Sequence, residues 1–130
     1  MSTQYFYGVG RRKTCTARAK YYAGTEDLVI TVNKGDFNTY FQDFYRQAII
    51  IATTKMGITT GKLDFFVKGG GIMGQAEACR LALAKSLVKM DEGYRPIARL
   101  NGYISTDIRQ VLPKKAGKRK ARKSEQWSKR

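Results

Sequence analysis

A long basic segment sets the first limit on what this chain can fold into. Between Arg109 and Arg130 there are ten Lys or Arg residues and one acid, Glu125, so this stretch holds nine of the +15 net charges. Its large apolar side chains are Val111, Leu112 and Trp127. A segment with so little apolar surface cannot offset the entropy of its own ordering, so it is expected to be disordered alone. Like-charged runs of this kind act as arms for polyanions. Fully extended, the arm would reach roughly 70 Å at about 3.3 Å per residue. The fold must therefore be built by what precedes it. The apolar pattern ends near Asp107, which divides the chain into a body, residues 1–107, and a basic tail, residues 108–130.

The body is long enough to bury a core, because it holds most of the 42% of residues that are hydrophobic. A pI of about 10.1 points to nucleic acid, an anionic membrane surface or an acidic protein as partner. The longest purely apolar run, Ala48–Ala52, is far short of a membrane span, so no membrane role is expected. The start MSTQYFYG lacks the charged-then-apolar pattern of a secretory signal. Two cysteines, Cys15 and Cys79, are 64 residues apart, and His is absent, so a metal site is not expected. Isolated thiols fit a reducing compartment, although spacing alone leaves a bridge between them open.

The missing histidine removes the commonest general base and the usual activator of Ser or Cys nucleophiles. The adjacent acid pairs, Glu26–Asp27 and Asp91–Glu92, stand at turns or helix ends. No catalytic residue and no cofactor is expected.

Hydrophobic periodicity then orders the body. Tyr5 to Val9 reads as a strand that ends at Gly8–Val9–Gly10, before the cluster Arg11–Arg12–Lys13. Thr14 to Tyr22 alternates. Cys15, Ala17, Ala19 and Tyr21 form the inward face, and Thr14, Thr16, Arg18, Lys20 and Tyr22 form a basic outward one. Ala23–Gly24–Thr25 reads as a turn and Leu28–Val32 as a strand. Phe37, Tyr40, Phe41, Phe44, Ala48 and Ile51 recur at helical spacing and read as core packing, with Asp36 as N-cap and a break near Gln42. Gly57–Gly61 is a loop and Leu63–Val67 a short strand. After the glycine loop, Ala76, Cys79, Leu83, Leu87 and Met90 mark the apolar stripe of a helix, with Arg80, Lys85 and Lys89 off it. A second helix is expected from Pro96 to Gly102.

The loop Lys68–Gly69–Gly70–Gly71–Ile72–Met73–Gly74 fits G-x-G-x-x-G between a strand and a helix. A dinucleotide fingerprint also needs an acid at the end of a second parallel strand, whereas Asp91 follows the helix directly. Gly71 to Gly74 also fits GxxG, but in KH domains that loop joins two helices. The physical content survives both rejections. Bare glycines let a phosphate approach the backbone, a helix start favours anions, and Lys68 adds charge. A tight turn that needs positive φ explains the same residues, and the two readings are compatible.

The motifs GRRKT near the start, VKGGGIMGQAEACR in the middle and SKR at the end resemble the universal ribosomal protein S-nine family, in order and over nearly the whole chain. The resemblance implies an α+β body with a mixed sheet, packed helices and a left-handed βαβ crossover like that of ribosomal protein S-five domain two, plus an extended basic C-terminal tail. It implies a structural constituent of the small subunit that binds small-subunit rRNA in the head, beside neighbouring ribosomal proteins. It also implies a tail that runs toward peptidyl-site tRNA, with Ser128, Lys129 and Arg130 at the tRNA. SKR is similar to bacterial or organellar endings, so a cytoplasmic ribosome is expected and an organellar one stays open.

The rRNA-facing residues expected in the body are Arg11, Arg12, Lys13 and Arg18, then Lys68, Gly69, Gly70 and Gly71, then Arg80. In the tail they are Arg109, Lys114, Lys115, Lys118, Arg119, Lys120, Arg122 and Lys123. The tail departs from the family pattern at Leu112–Pro113, where relatives usually have Glu-Arg, at Trp127, where Phe is usual, and at Ser124–Glu125, which dilutes a basic stretch. Composition alone also admits an architectural DNA-binding protein, because phosphate contacts dominate both kinds of binding. A small nucleotide-binding enzyme is the third reading.

Overall fold

The computed structural model describes residues 4–128. Its centre is the alternating segment around Cys15. Cys15, Ala17, Ala19 and Tyr21 are all buried, and they lie on one face of strand β2, Cys15–Asp27. Four other strands complete a mixed sheet: β1 (Phe6–Arg12), β3 (Val29–Val32), β4 (Gly35–Asp36) and β5 (Thr60–Lys68). The order is β1-β2-β5-β3-β4. All neighbours are antiparallel except β3 and β5, which pair parallel with two helices between them in sequence, α1 (Phe37–Tyr40) and α2 (Asp43–Lys55). Helices α3 (Ile72–Met90) and α4 (Tyr94–Leu100) follow. The protein is thus α+β, with helices packed on one face of the sheet and the other face left open by the described residues.

Helix α3 is the main partner of the sheet. It buries side chains almost all round: Ala76, Cys79, Leu83 and Leu87 as the stripe requires, and also Ala78, Leu81, Ala82, Ala84 and Val88. Small residues let it approach closely. A Cβ added at Gly10 would lie 2.0 Å from the carbonyl oxygen of Ala78, and one at Gly8 would lie 2.2 Å from that of Ala82. Glycine is required there because helix backbone rests on strand backbone. Gly8–Val9–Gly10 therefore does not end the strand, as expected, but lies inside it.

Other expectations need correction. Ala23–Gly24–Thr25 is not a turn. β2 continues to Asp27 across a register shift after Tyr22, so the irregularity that the glycine signals is absorbed within the strand. The aromatic stripe is not one face. Phe41 and Gln42 are extended, so the break at Gln42 resets the helical phase. Phe37 and Phe41 are buried, but α2 buries Ile49, Ala52 and Thr53, leaving Phe44 74% and Ile51 48% exposed. Asp36 occupies the N-cap position without a side-chain cap bond. Strand β5 starts at Thr60, inside the expected loop. Helix α4 starts at Tyr94, two residues before Pro96. Gly102 follows its end with φ +70°, the left-handed conformation expected of a helix terminator. Both cysteines are buried and unbridged. Burial raises the pKa of each thiol, so neither is poised to react.

The last helix ends at Leu100 and the last buried side chain belongs to Tyr103. Residues 108–128 contain no helix or strand, only an isolated bridge between Lys118 and Ser124, closed by the Arg119 amide donating to the Lys123 carbonyl at 2.9 Å. Among the described residues, no helix is long and apolar enough to cross a membrane.

Candidate nucleic-acid interface

The pleat of β1, β2 and β5 sends alternate residues outward. Cross-strand pairing sets them in rows: Arg11, Thr16 and Lys68; Val9, Arg18 and Phe66; Tyr7, Lys20 and Asp64. Arg11, Arg18 and Lys68, which are far apart in sequence, line one open hollow of about 610 Å³ together with Tyr7, Phe66 and Asn33. Asn33, at φ +50°, donates from its amide to the Val67 carbonyl at 3.2 Å and accepts from the Val67 N–H at 2.8 Å, closing that rim.

The glycine loop joins this rim to α3. Gly69 and Gly70 have φ of +81° and +64°, so the turn itself requires glycine. A Cβ on Gly70 would lie 2.1 Å from Cys15 Sγ, and one on Gly74 would lie 2.9 Å from the same sulfur. Gly74 is therefore packing inside the first turn of α3, not the last glycine of a loop. Gly71 differs. It has ordinary φ, is exposed, and a Cβ there would meet nothing within 4 Å. It is the N-cap of α3 and makes no side-chain cap bond. Amides of the first turn therefore point toward solvent beside Lys68. The Gln75 side chain steadies the loop, donating to the Gly69 carbonyl at 3.0 Å and accepting from the Tyr40 hydroxyl at 2.8 Å.

Arg12 behaves unlike its neighbours Arg11 and Lys13, which are exposed. Its side chain is 12% exposed and points at α3, where Nε donates to Glu77 at 2.7 Å. Its other nitrogens reach the Asp107 carboxylate at 3.4 Å and the Arg109 carbonyl at 2.8 Å. Asp107 accepts from the Arg109 backbone N–H at 3.0 Å and from its guanidinium at 2.8 Å. These bonds from Arg109, with the charge of Arg12, hold the Asp107 carboxyl well below the usual carboxylate range. Arg12 therefore fastens the root of the tail to the body. Arg80 stands nearby, its guanidinium 5.3 Å from the Tyr103 ring centroid. Sequence periodicity had no means of finding this node, since Glu77 and Asp107 are isolated acids in the chain.

Beyond Arg109, the expected tail cations Lys114, Lys115, Lys118, Arg119, Lys120, Arg122 and Lys123 are all exposed, and among the described residues none forms an ion pair. Trp127 is 97% exposed. Ser128 is exposed, while Lys129 and Arg130 lie outside the described residues.

Missing from the sequence-based set are the outward residues of the sheet beyond Arg18: Tyr5, Lys20, Tyr22, Lys62 and Phe66. The alternation through Tyr22 already placed Lys20 and Tyr22 outward, so two of these five were available. The register of β1 and β5 supplies the rest. A family model described as ribosomal protein S9/S16 matches residues 10–130.

Proposed function

The chain belongs to the ribosomal protein S9/S16 family, structural constituents of the small ribosomal subunit, and from that membership we propose that it binds small-subunit rRNA in the head of the subunit and extends its tail toward peptidyl-site tRNA. The observation that carries this reading is the contrast within its cations. One arginine is used internally to fasten the tail, and the cations beyond that root have no protein partner among the described residues. Charge left unpaired at this density favours a polyanion.

On this reading Arg11, Lys13, Arg18, Lys68 and Arg80 contact rRNA phosphates from the body, and Gly69–Gly71 bring backbone amides to a phosphate at the start of α3. Arg12 contributes indirectly, by fixing where the tail leaves. The tail cations, from Arg109 through Lys123, run along rRNA, and Ser128, Lys129 and Arg130 reach the tRNA. On this reading the chain divides into a body, residues 1–107, and a tail, residues 108–130, with the Arg12–Asp107 contact near their junction. A left-handed β3–β5 crossover, a cytoplasmic ribosome and contacts with neighbouring ribosomal proteins belong to the same reading.

The test is sedimentation of tagged protein from cells, with the nucleic acid that co-purifies at low salt identified. Co-sedimentation with the small subunit and intact small-subunit rRNA is expected. Bulk DNA in its place would favour the architectural DNA-binding alternative, and the absence of nucleic acid would defeat both.

A further inference from the structure

Among the described residues, only one face of the sheet is covered. The other presents aromatic rings among cations, and a basic patch alone does not need rings. Tyr5 is 44% exposed, and its ring centroid lies 5.7 Å from that of Tyr22. The Lys20 ammonium sits 4.7 Å from the Tyr5 centroid and 5.7 Å from that of Phe66, and the Lys62 ammonium lies 5.8 Å from that of Tyr22. Asp64, the acid in these rows, is already engaged, accepting from Thr31 Oγ1 at 2.6 Å and pairing with Lys62 at 3.4 Å. What remains is a positively charged surface carrying ring faces.

We propose that this open face of the sheet is a stacking platform for the bases of an unpaired RNA strand. The proposal rests on the rRNA reading above and narrows it to one kind of RNA. Charge complementarity selects a polyanion. The rings select the strand type, because bases in a duplex are already stacked on one another, whereas unpaired bases are free to stack on aromatic side chains. The lysines now over the rings have phosphates as alternative partners. When a base takes the ring face, Lys20 and Lys62 can turn to the backbone on either side of it. Strand spacing of about 4.8 Å and a same-face repeat of about 6.7 Å along each strand let rings on β2 and β5, and Tyr5 just before β1, receive successive bases.

The experiment uses the full chain, an adenosine dodecamer and a twelve-base-pair RNA duplex. The variant Tyr5→Leu/Tyr22→Leu/Phe66→Leu keeps apolar bulk but removes the rings, and its thermal transition is recorded first. Affinity for the single strand should fall about tenfold or more, since each ring that loses a stacked base contributes about fivefold at the low end of the usual range and leucine keeps part of that contact. Duplex affinity should change less than twofold, and the salt dependence of single-strand binding should be unchanged, because no phosphate contact is lost. Equal losses on both RNAs, or no loss on the single strand, would overturn the platform while leaving the rRNA reading intact. If the unmodified chain binds neither RNA, both fall. Should the triple variant fail to fold, Tyr5→Leu alone, at an exposed ring before β1, should cost about threefold on the single strand only. Photocrosslinking of a 5-iodouridine strand to the unmodified chain supplies the independent readout. Crosslinks at Tyr5, Tyr22 or Phe66 are expected, and crosslinks confined to Trp127 would overturn the proposal.

Discussion

Arg12 and Lys120 each sit in a run of basic residues, and the two runs use charge in opposite ways. In the body, the side chain of the middle residue of Arg11–Arg12–Lys13 is only 12% exposed, held by Glu77, Asp107 and the Arg109 carbonyl. The sheet then fixes Arg11, Arg18 and Lys68 around one hollow. In the tail, Lys120 and its neighbours have no sheet beneath them and, among the described residues, no ion pair with an acid. A folded scaffold gives a few cations fixed positions and so can distinguish one RNA surface from another. An arm without helix or strand supplies many cations with no sheet to fix their positions. Charge content alone does not separate the two uses; the location of the acids does.

Removing residues 109–130 is the strongest way to break this contrast. Five to eight phosphate contacts give a log–log salt dependence of roughly −4 to −7 for irregular RNA. Truncation should reduce that slope by about half while leaving the thermal transition of the body in place, because none of the tail's described residues is buried. Filter binding across a salt series measures it. A slope unchanged by truncation would put the binding in the body and remove the tail from the account.

The glycine loop comes next, and two adjacent residues give opposite outcomes. Gly70→Val forces a side chain into a left-handed turn and against Cys15 Sγ. Overpacking of this kind costs about 1–3 kcal/mol, with backbone strain in addition. A clear drop in the melting temperature is expected, so loss of RNA binding in that variant would not reveal a contact. Gly71→Val meets open space. It should melt near the unmodified protein yet bind RNA several-fold more weakly, since its Cβ bars a phosphate from the α3 amides. Normal RNA binding by folded Gly71→Val would show that the glycines serve the turn alone.

Much of this was legible in the sequence, for local reasons. The inward face of β2, the stripe of α3 and the break at Gln42 follow from periodicity and side-chain chemistry within a few residues. Three things were not legible. The phase of α2 depends on two extended residues, Phe41 and Gln42, whose dihedral angles no spacing reports. The demand for glycine at positions 8 and 10 comes from α3, about seventy residues away. The role of Arg12 comes from Glu77 and Asp107, and inside GRRKT it reads like any other cation. Residues that act through long-range contact look, in sequence, like their exposed neighbours.

The tip of the tail should give a smaller and more selective effect than removal of the whole arm. Deleting Lys129 and Arg130 removes two positive charges. Arg130 is expected to act through its planar fork on a tRNA phosphate, a geometry that lysine does not reproduce. A charge-assisted hydrogen bond of this type contributes about 1.5–3 kcal/mol at most, less where water screens it. Subunit assembly should be unchanged, with peptidyl-site tRNA affinity on purified subunits down about tenfold. Unchanged affinity would make the tip the frayed end of an rRNA-packing arm.

The smallest effect falls where body and tail meet, and pH reads it. The Asp107 carboxylate is held below its ordinary pKa by the side-chain and backbone bonds from Arg109, with the Arg12 charge adding to them. A depressed carboxylate pKa means that the charged form is the one the fold favours. The contribution is therefore fully present above the ordinary carboxylate value of about 4 and is lost only as pH falls through the depressed one. The Arg109 amide, 3.0 Å from Asp107 Oδ1, is the reporter. Its chemical shift should stay flat from neutral pH down through about 4 and move only in stronger acid. Asp107→Asn should remove that transition and leave the melting temperature of the body nearly unchanged, because Asp107 is partly exposed at the edge of the fold. It should still weaken RNA binding slightly, since a tail free to leave the body in many directions pays more entropy to reach one site. A midpoint near 4 in the unmodified protein would mean that the tail is unfastened in solution, and the contrast between a fixed body and a free arm would then begin before Asp107.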